Sequence, residues 1–440
     1  MALETLFYSS YTRLISATWS SYFFAAFTAF VAWLVYKIVE EKLSPLARIP
    51  TPEGRLPLIG HLFVVLKKGG LQHALSDWRD KYGPMIAFNP GFGIGIGDCR
   101  IAVYDPNLIK QVMITESYKY DRPEFVKKMI PNVGNGLFGS SGKLHAKQRK
   151  LINPAFSYTT LKCFVPTFVE NSAKLVKLWS KKIQTSPVLE VSEDICHLTL
   201  DIIGKTSFSY DFNSTLGTEN EVTTAFNSLM SRGEFGYLVR KNVIPFYEYF
   251  PLPDNLAIKR SSQIVDGTVF KVIQERRMLR RQGEAADHKD LLNLLLDMYD
   301  EETGKGFDDE ELRAQVFTFM LAGHETTSTS LSWTLYELAK RPEIQEKIRR
   351  EIKEVLPDGE ELTWNTLEKM QYLNSVAKES LRLRSPASLI GREANTTIQL
   401  GGYTVPKGTV LMVPVEAMHM SPKNWDNPTE FNPDRFMRNG

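Results

Sequence analysis

An uncharged apolar stretch near the N-terminus, residues 14–36, constrains this chain more than any other feature. As a helix it would span about 34 Å, enough for a hydrocarbon layer of about 30 Å. Trp19, Tyr22, Trp33 and Tyr36 lie toward its two ends, where aromatic side chains often meet the membrane interface. We therefore expect a single N-terminal transmembrane helix.

The length and the flanking residues of this stretch argue against two alternatives, and the flanking charges orient the helix in the membrane. A cleaved signal peptide has a shorter apolar region and a small-residue cleavage site, which is absent here, and a buried core helix of this length is uncommon. Four basic residues follow the stretch, and Arg13 alone precedes it: Lys37, Lys42, Arg48 and Arg55. The positive-inside rule then places the rest of the chain in the cytoplasm.

The domain organisation is expected to be simple. Residues 1–13 form a short tail, 14–36 the anchor, 37–60 a proline-rich hinge and 61–440 one large folded domain. The 440 residues are 43% hydrophobic and 24% charged, which excludes a disordered or multi-span chain. A formal net charge of +2 gives no basic excess for binding nucleic acid.

Helical periodicity dominates from residue 142 onward, so the predicted fold class is mainly α with a minor β portion. Long helices are expected at 308–340, 343–355 and 371–382. Residues 99–103 read as a strand, and 396–405 as a hairpin with a Gly-Gly turn. The glycine-rich residues 91–97 favour a turn over a phosphate loop, since no helix follows them.

The middle of the longest predicted helix carries Ala322, Gly323, His324, Glu325 and Thr326. Glycine weakens a helix by about 1 kcal/mol relative to alanine, and a threonine hydroxyl can bond the carbonyl one turn back. A carboxylate and a hydroxyl here suit a buried site where a small molecule meets a proton relay. The alternative is a polar stripe on the helix surface.

Two further segments carry charge. Glu379 and Arg382 stand three residues apart on a predicted helix and can pair on one face, although such a pair is usually a surface salt bridge. Arg435 lies in a proline-fixed turn, residues 431–436, and arginine is suited to bidentate capture of a carboxylate.

Together these segments resemble the cytochrome P-450 family of haem-thiolate monooxygenases. Residues 322–327 resemble its A/G-G-x-D/E-T-T/S motif, Glu379 and Arg382 its E-x-x-R motif, and residues 431–436 its F-x-P-E/D-R-F motif. The resemblance, in register over residues 14–436, implies the P-450 fold and a haem cofactor. It also implies insertion of one oxygen atom from O2 into an organic substrate.

The resemblance also implies roles for individual residues. Thr326 and Glu325 resemble the pair that delivers protons, and Ala322 and Gly323 the positions beside the haem. Arg149, Arg392 and His145 resemble haem-propionate ligands, although many family members have tryptophan at the position of His145. Three residues resemble the structural triad of the family: Glu379, Arg382 and Arg435.

Partners and location follow from the same resemblance. It implies an NADPH-cytochrome reductase docking near Lys143, Lys147 and Lys150, and an endoplasmic reticulum membrane location with the domain in the cytosol. The substrate is expected to be lipophilic, in secondary-metabolite (for example terpenoid) or lipid biosynthesis. Residues 125–138, 316–322 and 387–390 are the expected pocket walls, and the apolar residues 246–253 are expected to touch the bilayer.

No metal ligand is predicted within residues 1–440, because the family's ligand cysteine belongs to a loop that would follow Gly440. Cys99, Cys163 and Cys196 are interpreted as small buried hydrophobic residues. Two hypotheses remain: the sequence is a piece of a complete enzyme, or it is a naturally truncated, non-catalytic membrane-anchored protein.

Overall fold

The computed structural model describes residues 2–56, 59–91, 99–124, 126, 133–216, 221–230, 237, 240–241, 244, 246–284, 290–299, 304 and 306–437. Its helices are α1 (Ala2–Leu43), α2 (Leu62–Lys67), α3 (Leu71–Tyr82), α4 (Pro106–Lys110), α5 (Gly142–Ile152), α6 (Tyr158–Lys162), α7 (Val165–Thr185), α8 (Val191–Phe208), α9 (Glu221–Met230), α10 (Pro253–Gln282), α11 (Leu291–Asp297), α12 (Asp309–Ala339), α13 (Pro342–Val355), α14 (Trp364–Lys369), α15 (Gln371–Leu383) and α16 (Val415–His419). Its strands are β1 (Met85–Phe88), β2 (Arg100–Val103), β3 (Tyr120–Asp121), β4 (Ile390–Ala394), β5 (Ile398–Leu400), β6 (Tyr403–Val405) and β7 (Val410–Val413). The mainly α class with a minor β portion is confirmed.

Helix α1 is longer than the predicted anchor. It runs without a break from Ala2 to Leu43, so the predicted tail and residues 37–43 of the predicted hinge are also helical. Within the residues described, Ser21–Glu40 is the span apolar and long enough to cross a bilayer. The helix ends just before Pro45, where Ser44 Oγ accepts a hydrogen bond from the N–H of Leu46 and caps a short 3₁₀ turn.

The predicted hinge is not a free linker, because its second half packs on the domain. Leu46 and Ile49 are buried in the hydrophobic cluster that covers the sheet. The N–H of Asn89 donates to Nδ1 of the fully buried His61, so His61 Nε2 carries the proton and donates to the carbonyl of Pro52 at 2.9 Å. The folded domain therefore begins near Leu46, earlier than residue 61.

The main sheet has the strand order β1-β2-β7-β4-β3. Strands β2 and β7 are parallel, with Arg100 opposite Val410, and the other neighbours are antiparallel. The pairing of β3 with β4 sets Asp121 opposite Glu393. This sheet therefore brings the chain after β3 close to β4, although about 270 residues separate them in sequence.

The predicted hairpin is confirmed as β5 and β6. Gly401 and Gly402 form its turn with φ of 56° and 82°. Positive φ at both central residues is the geometry of a type I′ turn, which glycine adopts without steric cost.

Helix α12 is the central element of the helical part, and its predicted bounds are confirmed. The Asp308 carboxylate accepts from the N–H of Glu311, and the Glu311 carboxylate accepts from the N–H of Asp308, forming a capping box. Fully buried side chains from α8 to α12 meet in one cluster: Leu200, Phe226, Val269, Leu292 and Phe317.

Candidate functional site

The functional stretch of α12 begins where the helix stops being buried on every face. Residues 312–321 are all buried, and Ala322 and Thr326 are the next exposed positions, one turn apart. The hydroxyl of Thr326 donates to the carbonyl oxygen of Ala322 at 2.6 Å, which is the back-bond expected from the sequence. This flank of the helix is therefore open to a ligand.

Gly323 is required by packing. A Cβ atom at this position would lie 2.5 Å from Cδ1 of Ile203 on α8, closer than real side-chain contacts allow. Helix α12 continues unbroken through Gly323. The predicted weakening of the helix therefore does not become a break, and the glycine sets how closely α8 approaches.

Glu325 lies on another flank of α12 from Thr326. It is half-buried and lines a cleft of about 680 Å³ that Cys196, Ser328 and Arg384 also line. Burial raises the pKa of Glu325 above its ordinary value, so this carboxyl holds its proton more readily than an exposed glutamate. The structure does not bring its carboxylate into contact with the Thr326 hydroxyl, so the two predicted partners are neighbours in sequence only.

His324, between these residues and the glycine, is fully buried. Its Nδ1 lies 3.2 Å from the hydroxyl of Thr199, which also donates to the His324 carbonyl. Burial, and to a lesser extent the charge of His197, lowers the pKa of His324 to about 4. The imidazole is therefore neutral near pH 7 and joins α12 to α8.

A cluster of basic side chains gathers from three parts of the chain, and we call it the basic cluster. Arg122 follows β3, His145 and Arg149 lie on α5, and Arg392 lies on β4. Burial, followed by the charges of Arg122, Arg149 and Arg392, lowers the pKa of His145. The predicted set of His145, Arg149 and Arg392 is thus brought together, and the structure adds Arg122.

Arg122 was missed because the sequence around it has no periodicity. Its guanidinium lies 5.0 Å from the ring centre of Phe138, and the backbone N–H of Arg122 donates to Ser141 Oγ at 2.9 Å. Burial, then the charges of Arg392 and Arg149, lowers its pKa. Arg122 directly follows Asp121, the last residue of β3, and only the pairing of β3 with β4 brings it to the basic cluster.

The basic cluster fits a dianionic ligand. Within the described part of the chain no carboxylate pairs with Arg122, Arg149 or Arg392, and burial also lowers the pKa of Arg392. Like charges held together without a counter-ion destabilise one another unless an anion binds between them. Arginine is suited to bidentate carboxylate binding, so these residues fit the two propionates of a haem.

The predicted triad is a buried ion-pair network. Arg382 donates from Nε to Glu379 Oε2 at 2.7 Å and from Nη2 to Glu379 Oε1 at 2.8 Å, with both side chains at most 2% exposed. Arg435 Nε lies 3.5 Å from Glu379 Oε1. Arg382 also donates to the carbonyls of three later residues: His419, Pro428 and Glu430. The alternative of a surface salt bridge is therefore wrong.

Some predicted positions are placed differently or lie outside the description. Residues 92–98, 125 and 127–132 lie outside the described residues, so most of the glycine-rich turn and half of the predicted pocket wall 125–138 have no structural account. Cys99 and Cys196 are half-buried, but Cys163 is exposed, contrary to prediction. Cys163 caps the C-terminal end of the short helix α6, in which no residue is buried.

An open flank of α12 with a threonine back-bond, a basic cluster for a dianion and a buried Glu–Arg network define a haem-binding, mainly α oxidoreductase. Residues 50–440 match the family described as Cytochrome P450, and the chain belongs to that family. Members of the family bind haem iron and are monooxygenases, so haem is the cofactor of this class.

Curated relatives agree with this assignment. A protein of Sus scrofa named taurochenodeoxycholic 6 alpha-hydroxylase is 33% identical over 348 residues, covering 76% of this chain and 68% of its own length. Cytochrome P450 4F3 of Rattus norvegicus is 31% identical over 93% of this chain and 79% of its own length. Cytochrome P450 4A11 of Homo sapiens is 31% identical over 90% of this chain and 76% of its own length.

Proposed function

We propose that this protein is a membrane-anchored monooxygenase that hydroxylates a lipophilic small molecule, with electrons from an NADPH-dependent reductase. In the balanced reaction, O2, two electrons and two protons convert the substrate C–H bond to C–OH and release one water. The haem, when bound, supplies the oxygen chemistry. A lipophilic substrate is supported by the Sus scrofa relative, which is named taurochenodeoxycholic 6 alpha-hydroxylase.

The observation that carries the proposal is the basic cluster. Arg122, Arg149 and Arg392 lie together without a described carboxylate partner, which is costly unless an anion occupies the space between them. Haem propionates would supply that anion. His145 is the fourth member, and its lowered pKa leaves it neutral near pH 7, able to donate one hydrogen bond without adding charge.

The chain's own residues would then divide the remaining work. Thr326, with its hydroxyl donating to Ala322, keeps an oxygen able to accept a further hydrogen bond on the open flank. Glu325, whose pKa burial raises, would relay protons toward that flank. Gly323 lets α8 close on α12, and Arg382 fixes the segment after α16. Residues 316–322 and 387–390 would contribute pocket walls.

Membrane location is supported by two apolar surfaces. Ser21–Glu40 of α1 fits a single-pass anchor. Phe246 and Tyr249, within the predicted membrane-touching segment, are 76% and 77% exposed, a large apolar surface to leave in water. We propose the endoplasmic reticulum membrane, with the domain on the cytosolic face, where a reductase could approach the exposed side chains of Lys143, Lys147 and Lys150.

The test is reconstitution of the full open reading frame that contains residues 1–440, in microsomes with an NADPH-cytochrome reductase. Haem content, the carbon monoxide difference spectrum and product formation are measured on a panel containing taurochenodeoxycholic acid, fatty acids, sterols and terpenoids. We expect thiolate-ligated haem and at least one hydroxylated product. A protein without haem, or haem protein that hydroxylates no member of the panel, would support the non-catalytic alternative.

Matched variants make the result specific to the basic cluster. Arg392→Leu removes one member of the cluster, whereas Arg350→Leu removes an exposed arginine of α13. We expect the first variant to lose most of its haem and the second to keep it. Equal haem content in both would contradict the role of the cluster.

A further inference from the structure

Two buried glutamines hold one loop against α12. Gln315 on α12 is fully buried, and its Oε1 accepts a hydrogen bond from the N–H of Leu137 at 2.9 Å. Gln148 on α5 is 1% exposed; its Nε2 donates to the carbonyl of Asn135 at 2.8 Å, and its Oε1 accepts from Ser140 Oγ at 2.8 Å. Residues 133–140, which we call the clamped loop, are therefore bonded from both sides.

The clamped loop also lies too close to its neighbours to leave room for side chains at its glycines. A Cβ atom at Gly136 would lie 2.4 Å from the carbonyl oxygen of Ala314, and one at Gly139 would lie 2.2 Å from the carbonyl oxygen of Gly134. The loop backbone thus lies directly on α12. A small outward shift would break the Gln315 hydrogen bond, because that bond needs the same close approach.

The position of the clamp on α12 relates it to the candidate site. Gln315 precedes Ala322 by seven residues and Thr326 by eleven, and in a helix these three positions share one face. Phe138, in the same loop, lies under the guanidinium of Arg122 in the basic cluster. The loop therefore contacts α12 through Gln315 and the basic cluster through Phe138 and Arg122.

We propose that Gln315 is a positioning residue, with Gln148 as its partner, and that the two keep the clamped loop as a fixed wall of the substrate pocket. This rests on the proposed function and on the sequence-based expectation that residues 125–138, which include residues 133–138 of the clamped loop, form one wall of the substrate pocket. A fixed wall decides which carbon of a flexible substrate lies beside Thr326. Releasing it would let the substrate slide, so the mixture of hydroxylated positions would broaden.

The test compares Gln315→Met, which keeps the size but lacks the acceptor, with Gln315→Glu, which keeps an acceptor oxygen. Gln148→Met breaks the second half of the clamp. Gln345→Met is the control, because Gln345 donates to the carbonyl of Leu338 at the far end of α12. Each full-length haem protein is measured for hydrogen–deuterium exchange of the peptide covering residues 133–140. The distribution of hydroxylated positions is measured on the panel substrates that wild type hydroxylates, with straight-chain fatty acids of increasing length among those tested.

We expect exchange in the clamped loop to rise about tenfold in Gln315→Met, since a buried N–H loses its partner, and to stay near wild type in Gln315→Glu and Gln345→Met. The range of hydroxylated positions should broaden in Gln315→Met and should stay as in wild type in Gln315→Glu and Gln345→Met. If Gln315→Met does not retain haem, Gln148→Met carries the same two expectations. Unchanged exchange would overturn the clamp, and faster exchange with an unchanged product distribution would overturn its role in positioning.

Exchange is measured without turnover, so failure of the clamp and failure of the proposed function are distinguishable. In the first case the variants exchange like wild type while wild type hydroxylates a member of the substrate panel. In the second case wild type hydroxylates no member of the panel, whatever the exchange shows.

Discussion

The hydroxyl of Thr326 donates to the carbonyl oxygen of Ala322 across one turn of α12, at 2.6 Å. This bond fixes the side-chain rotamer and points the oxygen's acceptor side away from the helix backbone. The residue is thus pre-set to accept a hydrogen bond from a ligand on the open flank. Because this hydroxyl orders a proton path, its loss should change the fraction of electrons that end in product more than it changes the affinity for substrate.

Thr326→Ala is expected to lower the fraction of electrons that end in product by about tenfold or more, with hydrogen peroxide released in its place. The measurement is the ratio of product and peroxide to NADPH consumed. Thr326→Ser keeps the hydroxyl and should remain close to wild type. Unchanged coupling in the alanine variant would contradict the proton-delivery role.

Arg382→Ala is expected to abolish haem incorporation and to lower the free energy of unfolding by about 3–5 kcal/mol. It leaves the Glu379 carboxylate buried without its bidentate partner and frees the carbonyls of His419 and Pro428. Haem yield and thermal midpoint are measured. Arg349→Ala, at an exposed ion pair of α13, is the control and should change neither.

Arg122→Leu is expected to reduce haem affinity about tenfold or more, since a charge-assisted hydrogen bond contributes about 1.5–3 kcal/mol. Haem-transfer rates to an acceptor protein measure the effect. Phe138→Leu should give a smaller loss, because Arg122 then lacks the ring that orients its guanidinium. A wild-type transfer rate in Arg122→Leu would remove Arg122 from the proposed ligand set.

His324 predicts a pH dependence of stability. Its pKa is about 4 in the folded protein and about 6.5 when unfolded, so the unfolded chain binds the proton first as pH falls. The stability that neutral His324 contributes is fully present above about pH 6.5. It is lost as the pH falls toward 4, and the loss is about 3 kcal/mol at most. Denaturant midpoints across that range should fall less in His324→Phe than in wild type. His73→Gln, on an exposed part of α3, should follow wild type.

Local signals predicted much of the fold. The acidic first turn after Asp308 and the Gly401–Gly402 pair each act within a few residues, so α12 and the hairpin were predicted with their bounds. The spacing of Glu379 and Arg382 predicted that they could pair. It did not predict their burial, because the carbonyls that surround Arg382 come from the last residue of α16 and from residues after it.

What the sequence could not predict depends on distant packing. Arg122 joins the basic cluster only because β3 pairs with β4, and His324 is buried only because α8 lies against α12. The prolines of residues 37–60 predict a hinge, yet Leu46 and Ile49 pack in the hydrophobic cluster that covers the sheet. In each case the partner lies far away in sequence, where periodicity carries no information.

The parallel pairing of β2 with β7 has a consequence for biosynthesis. Strand β2 leaves the ribosome early in synthesis. Its parallel neighbour β7 is made about 300 residues later, near the C-terminal end of the described chain. Until β7 emerges, the nascent domain presents an unpaired strand edge, which can template aggregation. An early-inserted anchor would hold that edge at the membrane surface, so a chaperone acting there should matter more for the yield of this protein than the intrinsic speed of helix formation.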